Sequence, residues 1–187
     1  MEIPIKGQVS CADGPAGEVT HVVVDVQSRR VTAVVVKEAV APQIVRVVPF
    51  RHVLSATAAG VQLRCSLQEM AAMKELQRPG AVETHTWWHG VGPAEFEALP
   101  RQNIAEGEVA LGDKTPVKAT DGEAGQMVGV NVDPASRTIN RLVLAVGPAR
   151  AVKAVSILRS EIDYITDRAV HLAVDRQAIQ ELWKRAR

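Results

Sequence analysis

Aromatic side chains are scarce in this 187-residue chain, with three Trp, two Phe and one Tyr making up 3% of it. Its core must therefore be filled by aliphatic groups. Those present are mainly Val, Ala, Leu and Ile, a valine-rich set that favours strands. The shortage also removes the stacking platform on which single-stranded nucleic acid is normally held. Cysteine is nearly absent: Cys11 and Cys65 make no disulfide framework, and both lie in strand-like surroundings that suit small buried thiols. Charge of one sign is lacking too. Lys plus Arg number 22 against 21 Asp plus Glu, for a net charge of +1, so no global field draws the chain to nucleic acid or an anionic surface. Apolar runs such as "VTAVVV" and "RLVLAV" fall far short of the roughly 20 residues of a membrane span. The opening "MEIPIKGQVS" has no basic head followed by an apolar run. The expectation is a soluble, cytoplasmic protein without membrane insertion.

Chemistry-bearing motifs are also few. No Ser or Cys lies in a nucleophile-elbow context, and the glycines of "DGPAG" precede a strand rather than a helix that could cradle phosphate. No catalytic residue and no cofactor is expected, so the chain does not read as an enzyme.

What is present is a repeat. A shift of 108 residues aligns Ala12–Val36 with Thr120–Leu144 without a gap and gives ten identities in 25 positions. "DGPAGEVTHVVVD" thereby matches "DGEAGQMVGVNVD". After one residue of slippage, "VQL" at 61–63 matches "VHL" at 170–172, and each copy then enters a helix-like segment. A unit of about 75 residues used twice is too long for a solenoid repeat and fits tandem small domains. The division is 1–78 and 109–187, each closing with a helix, joined by a linker at 79–108.

Within each unit, Asp13-Gly14 and Asp121-Gly122 supply hairpin-turn residues, while Gly17 and Gly125 mark a bulge or close backbone approach. Asp25 and Asp133 close a β-branched run before a polar turn, so they read as turn carboxylates rather than as an acid–base pair. Five or six short strands follow as a twisted meander, which buries one face by curling into a small barrel. "SLQEMAAMKEL" has Ser66 and Glu69 in capping-box spacing with Leu67, Met70, Met73 and Leu76 along one helical face. "DRQAIQELW" has Asp175 as cap and Ile179, Leu182 and Trp183 as its stripe. The fold class is mainly β: two tandem small barrels with short helices, related by pseudo-two-fold symmetry.

Taken together, Asp-Gly, a small residue and Gly, an aliphatic strand ending in Asp, a Ser-Arg turn and a second aliphatic strand resemble the PRC-barrel family. The resemblance covers residues of roughly 3–68 and 111–174. That family includes the cytoplasmic domain of the photosynthetic reaction-centre H subunit and the C-terminal domain of the ribosome maturation factor. Its members are protein-binding or ribosome-assembly modules without a shared reaction. The resemblance implies a stand-alone bacterial or archaeal scaffold or adaptor that binds another protein and could form a homodimer.

Three local features bear on partners. The linker sequence "HTWWH" places Trp87, Trp88 and His89, with Phe96 beyond, as aromatic interface candidates. His85 and His89 invite a metal or small-ligand sensor reading, but only Glu83 joins them where three or four ligands are needed, so no metal site is assigned. Arg29, Arg30 and Arg51, with the other basic residues of the first unit, are the nucleic-acid candidates, which leaves an RNA or ribosome-associated factor as the alternative class.

Overall fold

The computed structural model describes residues 1–76, 103–113, 115–147, 152–166 and 169–185. Chain order runs β1 (Glu2–Pro4), β2 (Gln8–Cys11), β3 (Gly14–Asp25), β4 (Arg30–Glu38) and β5 (Val45–Pro49). A 3-10 turn at Phe50–His52 leads to β6 (Val53–Thr57), β7 (Gly60–Leu63) and helix α1 (Leu67–Ala71). The second half has β8 (Glu108–Gly112), β9 (Pro116–Ala119), β10 (Gly122–Val132), β11 (Ile139–Val146) and β12 (Lys153–Leu158). A second 3-10 turn at Arg159–Glu161, then β13 (Ile162–Ile165), β14 (Val170–Leu172) and helix α2 (Arg176–Arg185) complete it. The molecule is mainly β, with two curled sheets and two short helices.

Each sheet is ordered alike. The first runs β5-β4-β3-β2-β7-β6 and the second β12-β11-β10-β9-β14-β13. All neighbours are antiparallel except β2 with β7 and β9 with β14, which run parallel and bring the late strands of each half back beside its opening strand.

The inward residues show why these strands curl. Val19, Val22, Val24, Val31, Val34 and Val36 are fully buried, as are Met127, Val130, Val132, Ile139, Leu142 and Leu144 at the positions 108 further on. Some of these are spaced by three rather than two, which a flat strand would place on opposite faces. The register shifts supply the missing residue. Thr20 is extra in β3 and Thr32 in β4, and their counterparts Val128 and Asn140 are extra in β10 and β11.

The sheets do not respect the sequence repeat at its edges. β1 belongs to the second sheet, where it pairs with β10, and β8 belongs to the first, where it pairs with β3. Ile3 lies opposite Val130 and Leu111 opposite Val22. Adding 108 to one pair produces the other. Between the halves, Val31 donates its N–H to the Arg137 carbonyl at 2.8 Å and Ile139 donates to the Arg29 carbonyl at 3.1 Å. These too are repeat-matched, and Arg30 bridges Thr138, its own counterpart, between them. One continuous apolar core accordingly takes residues from both halves.

The first helix is shorter than the pattern "SLQEMAAMKEL" suggests. It ends at Ala71, and Lys74–Leu76 instead run along the outer edge of β5: Val47 donates to the Lys74 carbonyl and Leu76 to the Val45 carbonyl, both at 2.8 Å. The edge of β5 offers unpaired backbone groups, and Leu76 gains burial on the outer face of the sheet among Val23, Ala33 and Val35. Together these outweigh one more turn of helix.

Candidate interaction surface

The polar residues that recur between the copies serve architecture. Asp25 Oδ1 accepts from the Ser28 N–H at 2.7 Å and the Ser28 hydroxyl at 2.6 Å. Asp133 Oδ1 accepts from the N–H groups of Ala135 at 2.8 Å and Ser136 at 2.9 Å. These bonds hold both carboxyls below the usual carboxylate range: the Ser28 hydroxyl contributes most at Asp25, and the Ser136 N–H at Asp133. Arg29 and Arg137 follow in left-handed backbone, at φ of 55° and 61°.

Asp13 and Asp121 do more than turn the chain. Asp13 Oδ1 accepts from the Leu67 N–H at 2.9 Å, and Asp121 Oδ1 accepts from the Arg176 N–H at 2.8 Å, so each hairpin is tied to the first turn of the helix that closes its unit. The sequence shows the repeated aspartate but not this bond, because its partner lies more than 50 residues away. Local caps add to it: Ser66 and Glu69 form a reciprocal capping box, and Asp175 accepts from the Ala178 N–H at 2.8 Å.

Gly14 and Gly122 begin β3 and β10. Gly17 and Gly125 have φ of 148° and 146°, and a Cβ on Gly17 would collide with the Lys37 carbonyl oxygen. One on Gly125 would sit 2.7 Å from the Ala145 carbonyl oxygen. The β4–β3 and β11–β10 approaches therefore depend on hydrogen at these positions.

Of the basic candidates, Arg29 is engaged at the seam. Its guanidinium donates to the carbonyls of Ile162 at 3.0 Å and Asp163 at 2.6 Å. The matching Arg137 lies over the Phe50 ring of the first half, 5.9 Å from its centroid. Arg30 and Arg51 are exposed. Trp87, Trp88, His89, Phe96 and His85 lie outside the described residues.

The two thiols are buried and free, with Cys11 Sγ 4.0 Å from the Met70 sulfur. Burial and then the Cys65 thiol push Cys11 up to about 12, which disfavours a reactive thiolate. Burial lowers His21, against the opposing pull of Asp113. Its ring sits beside Gly112 at the β3–β8 junction, where Lys6 Nζ and Asp113 Oδ2 also join the halves at 2.7 Å. His171 stacks on Tyr164 with centroids 4.1 Å apart. Among the described residues no group of three His, Cys, Asp or Glu is placed to hold a metal, and no helix is long and apolar enough to cross a membrane.

Two surface features remain, both in the second half and both missed at the level of sequence. A groove of about 400 Å³ runs between α2 and the β10–β11 sheet, lined by Ala124, Val146, Ile179 and Trp183 with Arg176 and Lys184 at its sides. The second feature is the outer face of the sheet. In the first sheet this face is covered: Val23, Ala33 and Val35 are buried under Leu76 and Ile104, and the Asn103 N–H donates to the Leu76 carbonyl at 2.6 Å. The matching residues of the second sheet are Asn131, Arg141 and Val143, none of them buried, next to exposed Ala154, Ser156 and Leu158 of β12.

No protein-family model matches this sequence, and no curated protein is significantly similar to it.

Proposed function

We propose that the chain is a non-catalytic scaffold of the PRC-barrel type, two small barrels welded by strand exchange about a pseudo-two-fold axis near Arg30 and Thr138, that binds another protein. What carries the reading is the difference between the outer faces. The chain covers this face of its first sheet with its own Leu76 and Ile104, whereas the second presents Val143, Ala154 and Leu158, the last 46% exposed. An aliphatic strip rimmed by polar side chains is the form of a protein-docking patch. The repeated carboxylates and Arg29 support the reading from the other side, because their hydrogen bonds go to turns, helix starts and the seam rather than to one convergent site.

The test is capture of partners from a lysate of the native host on the immobilised full-length protein, with Leu158→Glu as the comparison. Leu158 sits on the surface, so the charge leaves the core intact. A partner held by the wild type and lost from the variant is the expected result. Salt-sensitive RNA binding that survives Leu158→Glu and vanishes in the Arg30→Ala, Arg51→Ala double variant would replace the adaptor with the ribosome-associated alternative.

A further inference from the structure

We infer that the outer edge of β12 accepts an extended segment of a partner protein as an added antiparallel strand, and that the segment has the pattern acid, any residue, aliphatic. The inference rests on the adaptor reading above and specifies the mode of contact.

The first half supplies the template. Along β5, Lys74, Glu75 and Leu76 form a short antiparallel addition, with Glu75 opposite Arg46, the Val47 N–H bonded to the Lys74 carbonyl and the Leu76 N–H bonded to the Val45 carbonyl. The Leu76 side chain, 3% exposed, then lies over Val35 and its neighbours. Strand registers transfer this to the second half. Val35 pairs with Val47 and Val143 with Ser156, so Val45, Arg46 and Val47 correspond to Ala154, Val155 and Ser156.

Alternation in β12 turns the backbone groups of Val155 and Ile157 toward β11 and those of Ala154 and Ser156 outward. Among the described residues nothing bonds these outward groups. The edge is bounded in the same place in both halves: Pro49 has no N–H to offer, and at the matching Leu158 the N–H is taken by Glu161 Oε2 at 2.7 Å. An open edge with unpaired donors and acceptors is a template for strand addition, and proteins ordinarily cover or charge such edges. The chain covers the edge of β5 with its own residues, whereas among the described residues no backbone group bonds the outer edge of β12 at Ala154 and Ser156.

Side-chain chemistry specifies the guest. In place of Val23 and Ala33, the second outer face has Asn131 and Arg141, with Val143 between Arg141 and the β12 edge. Arg141 is exposed and has no ion-pair partner among the described residues. A residue at the position of Leu76 falls on Val143 and Ala154. A residue at the position of Lys74, on the same face two places earlier, falls on the Ser156–Leu158 side, next to Arg141. Lysine there would be repelled by the guanidinium, whereas glutamate or aspartate would pair with it.

The experiment is a titration of the isotopically labelled full-length protein with acetylated and amidated pentapeptides, read by amide chemical shifts. The probe is AMEVL, compared with AMKVL and with AMEVL methylated on the leucine nitrogen. Because the Lys74–Leu76 segment is intramolecular, it competes strongly for β5, and added peptide reports on β12. AMEVL is expected to shift Ala154, Ser156 and Arg141 and to bind several-fold tighter than AMKVL. The preference should invert in Arg141→Glu. N-methylation, which removes the donor to the Ala154 carbonyl, is expected to weaken binding by about tenfold. No shift at Ala154 and Ser156 at millimolar peptide overturns the inference, as does equal binding of the methylated peptide. Protection of those two amides by self-association without any peptide would also overturn it, by giving the edge to a second copy. If the peptides fail while a lysate partner is still lost in Leu158→Glu, strand addition falls and the adaptor stands. If AMEVL binds but no lysate partner is captured, the edge accepts a strand and the adaptor reading falls.

Discussion

Positions 23 and 131 occupy the same place in the two β-units, one as a fully buried valine and the other as a partly exposed asparagine. The pair Ala33 and Arg141 extends the contrast along one face, as does Leu76 at the edge of β5 against the β12 edge, whose outward groups at Ala154 and Ser156 no described residue bonds. On the inner face no such divergence occurs, since each buried aliphatic of β3 and β4 has a buried aliphatic 108 positions on. Duplicated strands thus stay alike where they face the common core, and differ where one copy is covered by Leu76 and Ile104 and the other is exposed among the described residues. Side-chain polarity has followed local burial rather than position in the repeat.

The largest expected effect tests the shared part. Ile3 and Leu111 are the reciprocal plugs, each at most 1% exposed and each inserted into the sheet of the other half. Ile3→Ala and Leu111→Ala should each cost about 3 kcal/mol in urea-induced unfolding. If the two halves unfold as one body, either variant lowers a single transition as seen by probes in both sheets. Two separated transitions, each moved by only one variant, would show that strand exchange does not couple the halves.

A second prediction exchanges the diverged position. Val23→Asn places an amide under Leu76 and Ile104 where no partner awaits it, and should cost about 2–3 kcal/mol. The reverse change, Asn131→Val, falls on a face that is partly exposed among the described residues and should alter stability by no more than about 0.5 kcal/mol. Equal costs would mean that both faces are covered alike. Leu76→Ala belongs with Val23→Asn and should also cost about 2–3 kcal/mol, since Leu76 is buried.

How much of this could be read from the chain follows from the range of the interactions. The turn at Asp25 and the cap at Ser66 depend on residues three apart and the repeat on identities 108 apart, so their sequence patterns are informative. The hairpin, however, turns one residue before Asp13-Gly14, at Ala12-Asp13, and Gly14 already opens β3. The bulges at Thr20 and Thr32 are already half hidden, visible only as valines spaced by three. The exchange of β1 and β8 was not legible. Each strand carries the same inward aliphatic, Ile3 or Leu111, whether it pairs within its unit or across, and the choice is made by chain geometry. The end of α1 was obscured for a similar reason. Met70, Met73 and Leu76 have helical spacing, but Leu76 is buried by a sheet face whose valines lie 29 or more residues earlier. The edge of β12 had no sequence signal of its own, because the groups left unbonded there among the described residues belong to the backbone.

The smallest effect expected concerns acid. Asp25 and Asp133 are both held below their ordinary carboxylate value in the fold, by Ser28 in one turn and by Ser136 and Ala135 in the other. A depressed folded pKa makes the charged form stabilising above the unfolded pKa. That contribution is lost as pH falls through the unfolded value toward the folded one. Stability of the wild type should therefore decline below about pH 4, and the Asp25→Asn, Asp133→Asn double variant should show a shallower decline in denaturant midpoints measured from pH 7 to pH 3. The two turns are not expected to respond alike to loss of the neighbouring hydroxyl. Ser28 Oγ donates directly to Asp25 Oδ1 at 2.6 Å, whereas Ser136 Oγ lies 2.7 Å from the Thr138 hydroxyl and Asp133 relies chiefly on backbone N–H groups. Ser28→Ala should therefore raise the Asp25 pKa, read by carboxyl-carbon titration, more than Ser136→Ala raises that of Asp133. Equal shifts would mean that the hydroxyls contribute equally, and the two turns would then differ only in sequence.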